Sequence, residues 1–272
     1  VNQALSIANK GLPLIVLDSY KKIPLRYFGD MQLPKSTAVF SDLYWFEEID
    51  STNKELERLF RPSTKDFTAV ISASQTHGQG RLGRSWQSPK GSSLSLSVLI
   101  EKAWISEPGW LSLLAALAVT RTVRSLGAST AGIKWPNDVL VDGKKLCGIL
   151  SQLLPSGSAI VGIGVNLNSD ASELDTATSL QELGIQIEID SLAALIGANL
   201  KELVSNFRAN PDHVKAEFSN SCLTLGQQVR AELPGGSELL GLASAVDPSG
   251  QLVILTPEPH HLSAADVWHL RS

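Results

Sequence analysis

The residues best suited to chemistry lie first in a stretch dense in glycine and arginine, Gly78-Gln79-Gly80-Arg81-Leu82-Gly83-Arg84-Ser85-Trp86. Glycine lets backbone amides approach a ligand closely, and Arg81 and Arg84 offer forked, permanent positive charge for phosphate or carboxylate. Trp86 suits either a stack on a flat ligand or a place in the core, and a mobile surface loop with solvated arginines explains the stretch as simply. It is not a Walker loop, because no Gly-Lys-Ser/Thr follows, nor a dinucleotide fingerprint, because a strand follows instead of a helix.

A second stretch, Lys134-Trp135-Pro136-Asn137-Asp138, begins at the end of a predicted strand and continues into a proline turn. A lysine at the end of a rigid strand presents a compact cation that can neutralise charge developing on phosphate oxygens. Asn137 and Asp138 suit a polar ligand or a magnesium ion. A tight turn also selects Asn and Asp for its geometry, so a plain turn stays open as the alternative.

Two further stretches combine polar groups or glycines with regular structure. Ser51-Thr52-Asn53 lies at a predicted helix start, where two hydroxyls and an amide either hydrogen-bond to a neutral polar ligand or simply cap the helix. Gly162–Asn168 is a strand with two glycines, which invites close approach of a ligand or of another backbone. A bulge or tight sheet packing explains those glycines equally well.

Predicted helices and strands around these stretches would hold them in place. Asp50 or Ser51 is a natural N-cap for the helical run Lys54–Phe60. Ser93–Ile100 alternates apolar residues with serine, the period of a half-buried strand, whereas Thr76–Gly91 is predicted to be a loop. Further strands are predicted at Leu43–Ile49, Ala69–Ser74, Ile133–Trp135, Val139–Val141, Lys145–Leu154 and Ala159–Asn166, and further helices at Trp110–Leu126 and Leu192–Phe207. Hairpin-like strands with helices between them, without strict βαβ alternation, favour an α+β fold with a mixed, largely antiparallel sheet.

The two ends of the chain differ from its middle. After about Cys222, short strands separated by Pro- and Gly-rich turns predict a small, barrel-like all-β domain, with His260-His261 in a turn. Those strands are Val229–Leu233, Leu239–Val246, Leu252–Leu255 and Val267–Leu270. Residues 1–40 are expected to be a remnant or linker, with a helix end at Ala4–Lys10 and strands at Leu12–Leu17 and Ile23–Phe28.

Composition excludes several classes of function. The 272 residues are 43% hydrophobic and 18% charged with a net charge of −4, so the chain carries no basic field for non-specific nucleic-acid binding. Cys147 and Cys222 lack metal-type spacing, and Cys147 is expected in the core. No membrane span or secretory signal is evident, which predicts a cytoplasmic protein. Arginine, lysine, glycine amides and neutral polar groups favour stabilising phosphate and acyl-phosphate charge over acid–base hydrolysis.

Taken together and in this order, the four stretches resemble the biotin–protein ligase family, in a form without a complete N-terminal winged helix. The resemblance covers roughly residues 43 to 270 and also includes Gln75 before the Gly/Arg loop. It implies a catalytic domain at 41–221 similar to class II aminoacyl-tRNA synthetases, and an SH3-like barrel at 222–272. It also implies a two-step reaction, in which biotin and Mg-ATP form biotinyl-5′-AMP before a lysine of a biotin carboxyl carrier protein attacks the adenylate.

The resemblance also assigns roles to residues of this sequence. Lys134 and Arg81 are implied as the catalytic cations. The implied biotin-binding residues are Ser51, Thr52, Asn53, Gln75, Gln79, Gly80, Arg81 and Lys134. The implied ATP- or adenylate-binding residues are Gly78, Arg84, Trp86, Asn137 and Asn166, with Asp138 as a candidate magnesium ligand. The family often has arginine where Gln79 stands, so weaker retention of the adenylate is expected.

Partners and competing functions follow from the same resemblance. Residues 1–40 are too few for a DNA-binding module, so no specific operator binding is expected, and a homodimer formed by extended sheets is compatible with the family. One competing function is that of a lipoate–protein ligase-like acyltransferase, and another is that of a non-catalytic biotin-sensing module. The Gly/Arg loop and the Lys-Trp-Pro-Asn-Asp turn favour biotin over lipoate, and the presence of Lys134 and Arg81 favours catalysis over sensing.

Overall fold

The computed structural model describes residues 26–28, 32–168, 176–233, 237–263 and 266–270, and these residues form two sheets, a hairpin and a layer of helices. The strands are β1 (Arg26–Phe28), β2 (Asp42–Phe46), β3 (Thr68–Ser72), β4 (Gln75–Gln79), β5 (Ser85–Ser88), β6 (Ser93–Ile100), β7 (Gly132–Lys134), β8 (Asp138–Val141), β9 (Lys144–Leu153), β10 (Ala159–Asn166), β11 (Gln228–Glu232), β12 (Glu238–Val246), β13 (Leu252–Thr256), β14 (Glu258–Leu262) and β15 (Asp266–His269). The α-helices are α1 (Pro34–Val39), α2 (Thr52–Leu59), α3 (Leu111–Ser125), α4 (Ile189–Ala209) and α5 (Pro211–Ser221).

The larger sheet has eight strands in the order β1-β2-β3-β6-β10-β9-β8-β7. The β1–β2 and β2–β3 pairs are parallel, and every later pair is antiparallel. The predicted α+β fold with a mixed, largely antiparallel sheet is therefore confirmed. The predicted strands from Leu43 to Asn166 and the predicted helix start at Ser51 are also confirmed, with ends shifted by a few residues.

Strand β6 corrects one prediction, because all eight of its residues are buried rather than half of them. Leu94, Leu96 and Val98 belong to the main core. The alternating serines face the other side of the sheet, where α2 covers Ser97 and the β5 strand contacts Ser93 through Ser88. The serine face was expected in solvent, but it is a buried polar surface.

Helices α3 and α4 pack together on the apolar face of the sheet. Trp110 stacks against Phe207 of α4 and lies edge-on to Phe218 of α5, with ring centroids 5.2 and 5.3 Å apart. Both predicted helices are confirmed, whereas α5 was not predicted. Cys147 is fully buried, as expected.

The predicted loop Thr76–Gly91 was wrong in part, because it contains most of a β-hairpin. Strand β4 pairs with β5, and Gly78 lies opposite Trp86. A side chain at Gly78 would bring a Cβ within 2.5 Å of the Trp86 carbonyl oxygen. Glycine therefore allows the two strands to approach, and the hairpin holds Trp86 in a fixed direction.

The C-terminal strands form one antiparallel sheet in the order β14-β13-β12-β11-β15. Strand β14 was missed, and His260 and His261 lie within it rather than in a turn, because they pair with Ile254 and Val253. Within the described residues β14 and β15 are the two edges and do not pair with each other, so hydrogen bonding does not close the predicted barrel.

Part of the predicted N-terminal linker packs against the larger fold. The Asp190 carboxylate of α4 accepts hydrogen bonds from the backbone amides of Ser36 and Lys35, at 2.8 and 3.0 Å, and Leu33 is fully buried. Strand β1 overlaps the predicted strand Ile23–Phe28. The predictions for Ala4–Lys10 and Leu12–Leu17 fall outside the described residues. None of the helices in the described part of the chain is long and apolar enough to span a membrane.

Candidate active site

A half-open cleft lies where the start of α2, the β4–β5 hairpin and the β7–β8 turn meet the polar face of the large sheet. Of the predicted site residues, all except Gly78 and Asn166 line it: Ser51, Thr52, Asn53, Gln75, Gln79, Gly80, Arg81, Arg84, Trp86, Lys134, Asn137 and Asp138. Its empty volume is about 1080 Å³, open solvent at the mouth included.

One end of the cleft, which we call the hydroxyl pocket, is lined by Ser51, Thr52, Asn53 and Gln75, with Ser97 of β6 bonded beneath them. The side-chain oxygen Oε1 of Gln75 accepts from the Thr52 backbone amide at 2.8 Å and lies 3.2 Å from the Thr52 hydroxyl. The Ser97 hydroxyl lies 2.7 Å from Thr52 Oγ1 and 2.6 Å from Asn53 Oδ1. All but Gln75 are buried, so this network is fixed before any ligand arrives.

The start of α2 is itself anchored. Ser51 caps the helix by accepting from the Lys54 amide at 3.5 Å, and the Asp50 carboxylate accepts from the Ser51 amide at 2.8 Å. Arg58 donates to both Asp50 oxygens, and this pairing lowers the pKa of Asp50 to about 2. Asp50 thus holds the start of α2 in place, and of the two predicted N-cap candidates Ser51 is the N-cap.

Two glycines of β10 explain how side chains approach the sheet so closely. A Cβ on Gly162 would lie 2.2 Å from Asn53 Oδ1, and a Cβ on Gly164 would lie 2.5 Å from the Trp86 ring. Gly148 of β9 lies directly opposite Gly164 and also meets the Trp86 ring. Because these glycines have no side chains, Asn53 and Trp86 pack directly against the backbones of β9 and β10.

The other end of the cleft, which we call the cationic end, consists of Arg81, Lys134, Lys145, Trp86, Asn137 and Asp138. Arg81 donates to Asn137 Oδ1 at 3.1 Å, and Asn137 Nδ2 in turn donates to the Ile149 carbonyl at 3.0 Å. Asn137 therefore ties Arg81 to strand β9. Lys134 ends β7 beside the same turn.

Lys145 is a site residue that the sequence did not reveal. Its ammonium pairs with the Asp138 carboxylate at 2.7 Å and lies 5.8 Å from the centroid of Trp86. A bulge explains why it was missed, because Leu140 lies opposite Lys145 where simple alternation would place Leu146. The bulge turns Lys145 to the cleft face, whereas unbroken alternation puts it beside Cys147 in the core. The Ser95 and Ser97 side of β6 was missed for another reason, since alternating serines are typical of a solvent face.

Two predicted residues lie outside the cleft lining. Gly78 lies behind Trp86 in the hairpin. The Asn166 amide donates to the carbonyls of Thr178 at 2.9 Å and Lys145 at 3.3 Å, and the side chain is buried. Asn166 thus holds the backbone of Lys145 instead of facing the cleft.

The C-terminal sheet also reaches this cleft. Val267 and Trp268 of β15 line it, and the Arg230 guanidinium lies 4.6 Å from the centroid of Trp268. Burial, followed by the charge of nearby Lys134, lowers the pKa of His269 below 6.5. The cleft is therefore built from both parts of the chain.

The two ends of the cleft suit different parts of one ligand. Neutral hydroxyl and amide groups recognise an uncharged polar head, while an arginine and two lysines attract carboxylate and phosphate. The described residues contain no group of three acidic, histidine or cysteine side chains that could hold a metal ion by themselves. This arrangement favours chemistry at a carboxylate–phosphate junction.

Comparisons with known proteins agree with this geometry. Residues 45–170 match the biotin/lipoate A/B protein ligase family, and residues 224–270 match the biotin protein ligase C-terminal domain. The chain is 37% identical to the biotin–[acetyl-CoA-carboxylase] ligase of Mycobacterium tuberculosis over 82% of this chain and 87% of that protein. It is 30% identical to the ligase of the same name from Paracoccus denitrificans, over 80% and 97%. The structure of biotin protein ligase from Aquifex aeolicus in complex with biotin and ATP superposes with a TM-score of 0.74 at 27% identity, over 85% of this chain and 100% of that one.

Proposed function

The chain belongs to the biotin–protein ligase family, and from that premise we propose how its own residues carry out the reaction. It is an ATP-dependent enzyme that joins biotin to a protein. The observation that carries the residue assignment is the meeting, in one cleft, of a neutral hydroxyl pocket and a cationic end.

The hydroxyl pocket would hold the ring system of biotin. The ureido group of biotin is neutral and has both donors and acceptors, which matches the hydroxyls of Ser51 and Thr52 and the amides of Asn53 and Gln75. Thr52 already bonds to Gln75 and Asn53 to Ser97, so the pocket would exchange these internal bonds for bonds to biotin. Gln79 and Gly80 would cover the ring from the hairpin.

The cationic end would hold the junction that reacts. A biotin carboxylate oxygen attacks the α-phosphorus of ATP, the bond to the β-phosphate breaks and pyrophosphate leaves. Arg81 and Lys134 would lie against the carboxylate and α-phosphate and stabilise the negative charge that develops there. Arg84 and Trp86 would face the nucleotide, with Trp86 beside the adenine.

Lys145 would add a third cation by exchanging partners. It pairs with Asp138 now, and a phosphate would attract it more strongly than one carboxylate does. Asp138 would then be released to bind magnesium, which accepts one or two carboxylates together with substrate phosphates. A magnesium ion held in this way would take a single carboxylate, that of Asp138, from the protein.

In the second step a lysine of the acceptor attacks the activated carbonyl. The neutral ε-amine forms the new amide bond, the bond from carbonyl carbon to AMP oxygen breaks, and the amine proton is lost. The acceptor we propose is the carrier domain of a biotin-dependent carboxylase. The hairpin would exclude water meanwhile, because water destroys a mixed anhydride. A synthetase-like ancestry of the larger domain and a cytoplasmic location stay predictions.

The test is biotin-dependent exchange of labelled pyrophosphate into ATP. We expect exchange in the wild-type chain and its loss in Lys134→Ala and Arg81→Ala, with little change in thermal stability because both side chains border the cleft. Lipoate in place of biotin should give no exchange. Biotin binding without exchange would favour a sensing module instead.

A further inference from the structure

Two tryptophan side chains of the larger part of the chain donate hydrogen bonds to the same turn of the C-terminal sheet. Trp110 Nε1 donates to the Pro248 carbonyl at 3.0 Å, and Trp135 Nε1 donates to the Gly250 carbonyl at 3.1 Å. Asp247 shapes this turn by accepting from the amides of Ser249 and Gln251, both at 2.9 Å. The turn therefore presents two carbonyls to two tryptophans in a fixed geometry.

Trp135 is attached to the C-terminal part a second time. Its backbone amide donates to Thr224 Oγ1 at 3.0 Å, and the same oxygen lies 3.1 Å from His269 Nε2. A threonine hydroxyl has one proton and two lone pairs, so Thr224 can accept from the Trp135 amide and still donate to or accept from the imidazole. Burial and the Lys134 charge lower the pKa of His269 and so favour the neutral imidazole at this contact.

These hydrogen bonds are buried, and Trp135 directly follows Lys134 in the chain. Thr224 is fully buried and Trp135 is 1% exposed. Trp135 borders the cleft together with Lys134 and Asn137, and Asn137 holds Arg81. A shift of Trp135 would therefore move Lys134 and Arg81, two of the cations that the proposed function uses.

We infer that Thr224 and Trp135 form a clamp through which the C-terminal sheet positions the Lys134–Asn137 turn for catalysis. This inference rests on the proposed function of Lys134 and Arg81. Thr224 and Trp135 are positioning residues, since they act through their neighbours. Without the Thr224 oxygen, the Trp135 amide would be buried and unpaired, and the turn would move to find another acceptor.

The first experiment compares Thr224→Val with Thr224→Ser in the full chain. Valine keeps the volume but removes the hydroxyl, whereas serine keeps the hydroxyl. We expect Thr224→Val to lower kcat of biotin-dependent pyrophosphate exchange by about tenfold or more, as small misplacements of catalytic groups do. The KM for biotin should change much less, because the hydroxyl pocket lies at the other end of the cleft. Thr224→Ser should retain most of the wild-type kcat.

The second experiment separates positioning from simple docking of the two parts. Trp110→Phe and Trp135→Phe each remove one indole bond to the same turn, so both should lower the melting temperature. Only Trp135→Phe should lower kcat, and this pair decides the matter if Thr224→Val fails to fold. Equal kcat losses in the pair, or wild-type kcat in Thr224→Val, would overturn the clamp. Absence of exchange in the wild-type chain would instead contradict the proposed function, and the clamp with it.

Discussion

The hydroxyl pocket and the cationic end differ in how they are held. In the hydroxyl pocket short side chains on β6 and α2 are buried and bond to one another at 2.6 and 2.7 Å. At the cationic end long side chains remain partly exposed, and Lys145 is paired with Asp138. One end is built before the ligand arrives, and the other must exchange partners when it binds.

This difference separates two kinds of residue. A buried pocket residue contributes to stability and to binding together, because removing it leaves polar neighbours unpaired. A partly exposed cation contributes little to folding, since surface ion pairs are weak. Its effect appears when charge develops in the transition state. Substitutions at the two ends should therefore separate kcat from KM and from stability.

After the loss of exchange expected for Lys134→Ala and Arg81→Ala, the largest effect is expected for Lys145→Ala. Losing one cation at the reacting junction should lower kcat of pyrophosphate exchange by about a hundredfold to a thousandfold. The melting temperature should hardly change, since Lys145 is 36% exposed. Lys144→Ala is the matched control, because Lys144 is exposed and does not line the cleft. Equal rates in the two variants would remove Lys145 from the mechanism.

The next effect comes from two glycines of one strand that lie under different ends. Gly162→Ala would push against Asn53, and Gly164→Ala would push against Trp86. Gly162→Ala should raise the KM for biotin, and Gly164→Ala the KM for ATP, each by on the order of tenfold to a hundredfold. Steady-state kinetics with each substrate varied gives both constants. If both variants raise the same KM, the division of the cleft is wrong.

A smaller effect is expected for Ser97→Ala. Removing this hydroxyl should cost about 1–3 kcal/mol of unfolding free energy and raise the KM for biotin by about tenfold or less, with kcat nearly unchanged. Thr120→Val is the control, because Thr120 is equally buried and its hydroxyl donates to the Ala116 carbonyl within α3. It should lose stability without a change in KM. A normal KM in Ser97→Ala would show that the pocket does not need this bridge.

The smallest effect concerns the anchor beneath the hydroxyl pocket. Because pairing with Arg58 lowers the pKa of Asp50 from 3.8 to about 2, the pair stabilises the fold fully above about pH 4 and is lost as the pH falls toward 2. The pair is partly exposed, so its contribution should stay below about 1 kcal/mol. Urea unfolding between pH 5 and 2 should show a steeper loss for wild type than for Asp50→Asn. Parallel curves would mean that the pair contributes nothing.

The sequence was most informative where chemistry and local geometry agree. The Gly/Arg stretch, the Lys134 turn and the Ser51 helix start were each recognised, and the structure brings them to one cleft. The glycines of β10 predicted close approach of a ligand or of another backbone, whereas in the structure the side chains of Asn53 and Trp86 approach them.

What escaped prediction depends on non-local pairing. Lys145 reaches the cleft through a bulge that only the partner strand reveals. The serines of β6 became an inner surface because α2 and the hairpin cover them. Thr224 and His269 lie 89 and 45 positions from their partners, Trp135 and Thr224, so no local pattern links them.

A crystal structure with biotinyl-5′-AMP bound tests the central claim most directly. We predict the biotin rings in the hydroxyl pocket and the acyl-phosphate junction within hydrogen-bond distance of Arg81 and Lys134. Lys145 should have left Asp138 for the phosphate. An adenylate bound elsewhere, with Lys134 facing bulk solvent, would contradict the account.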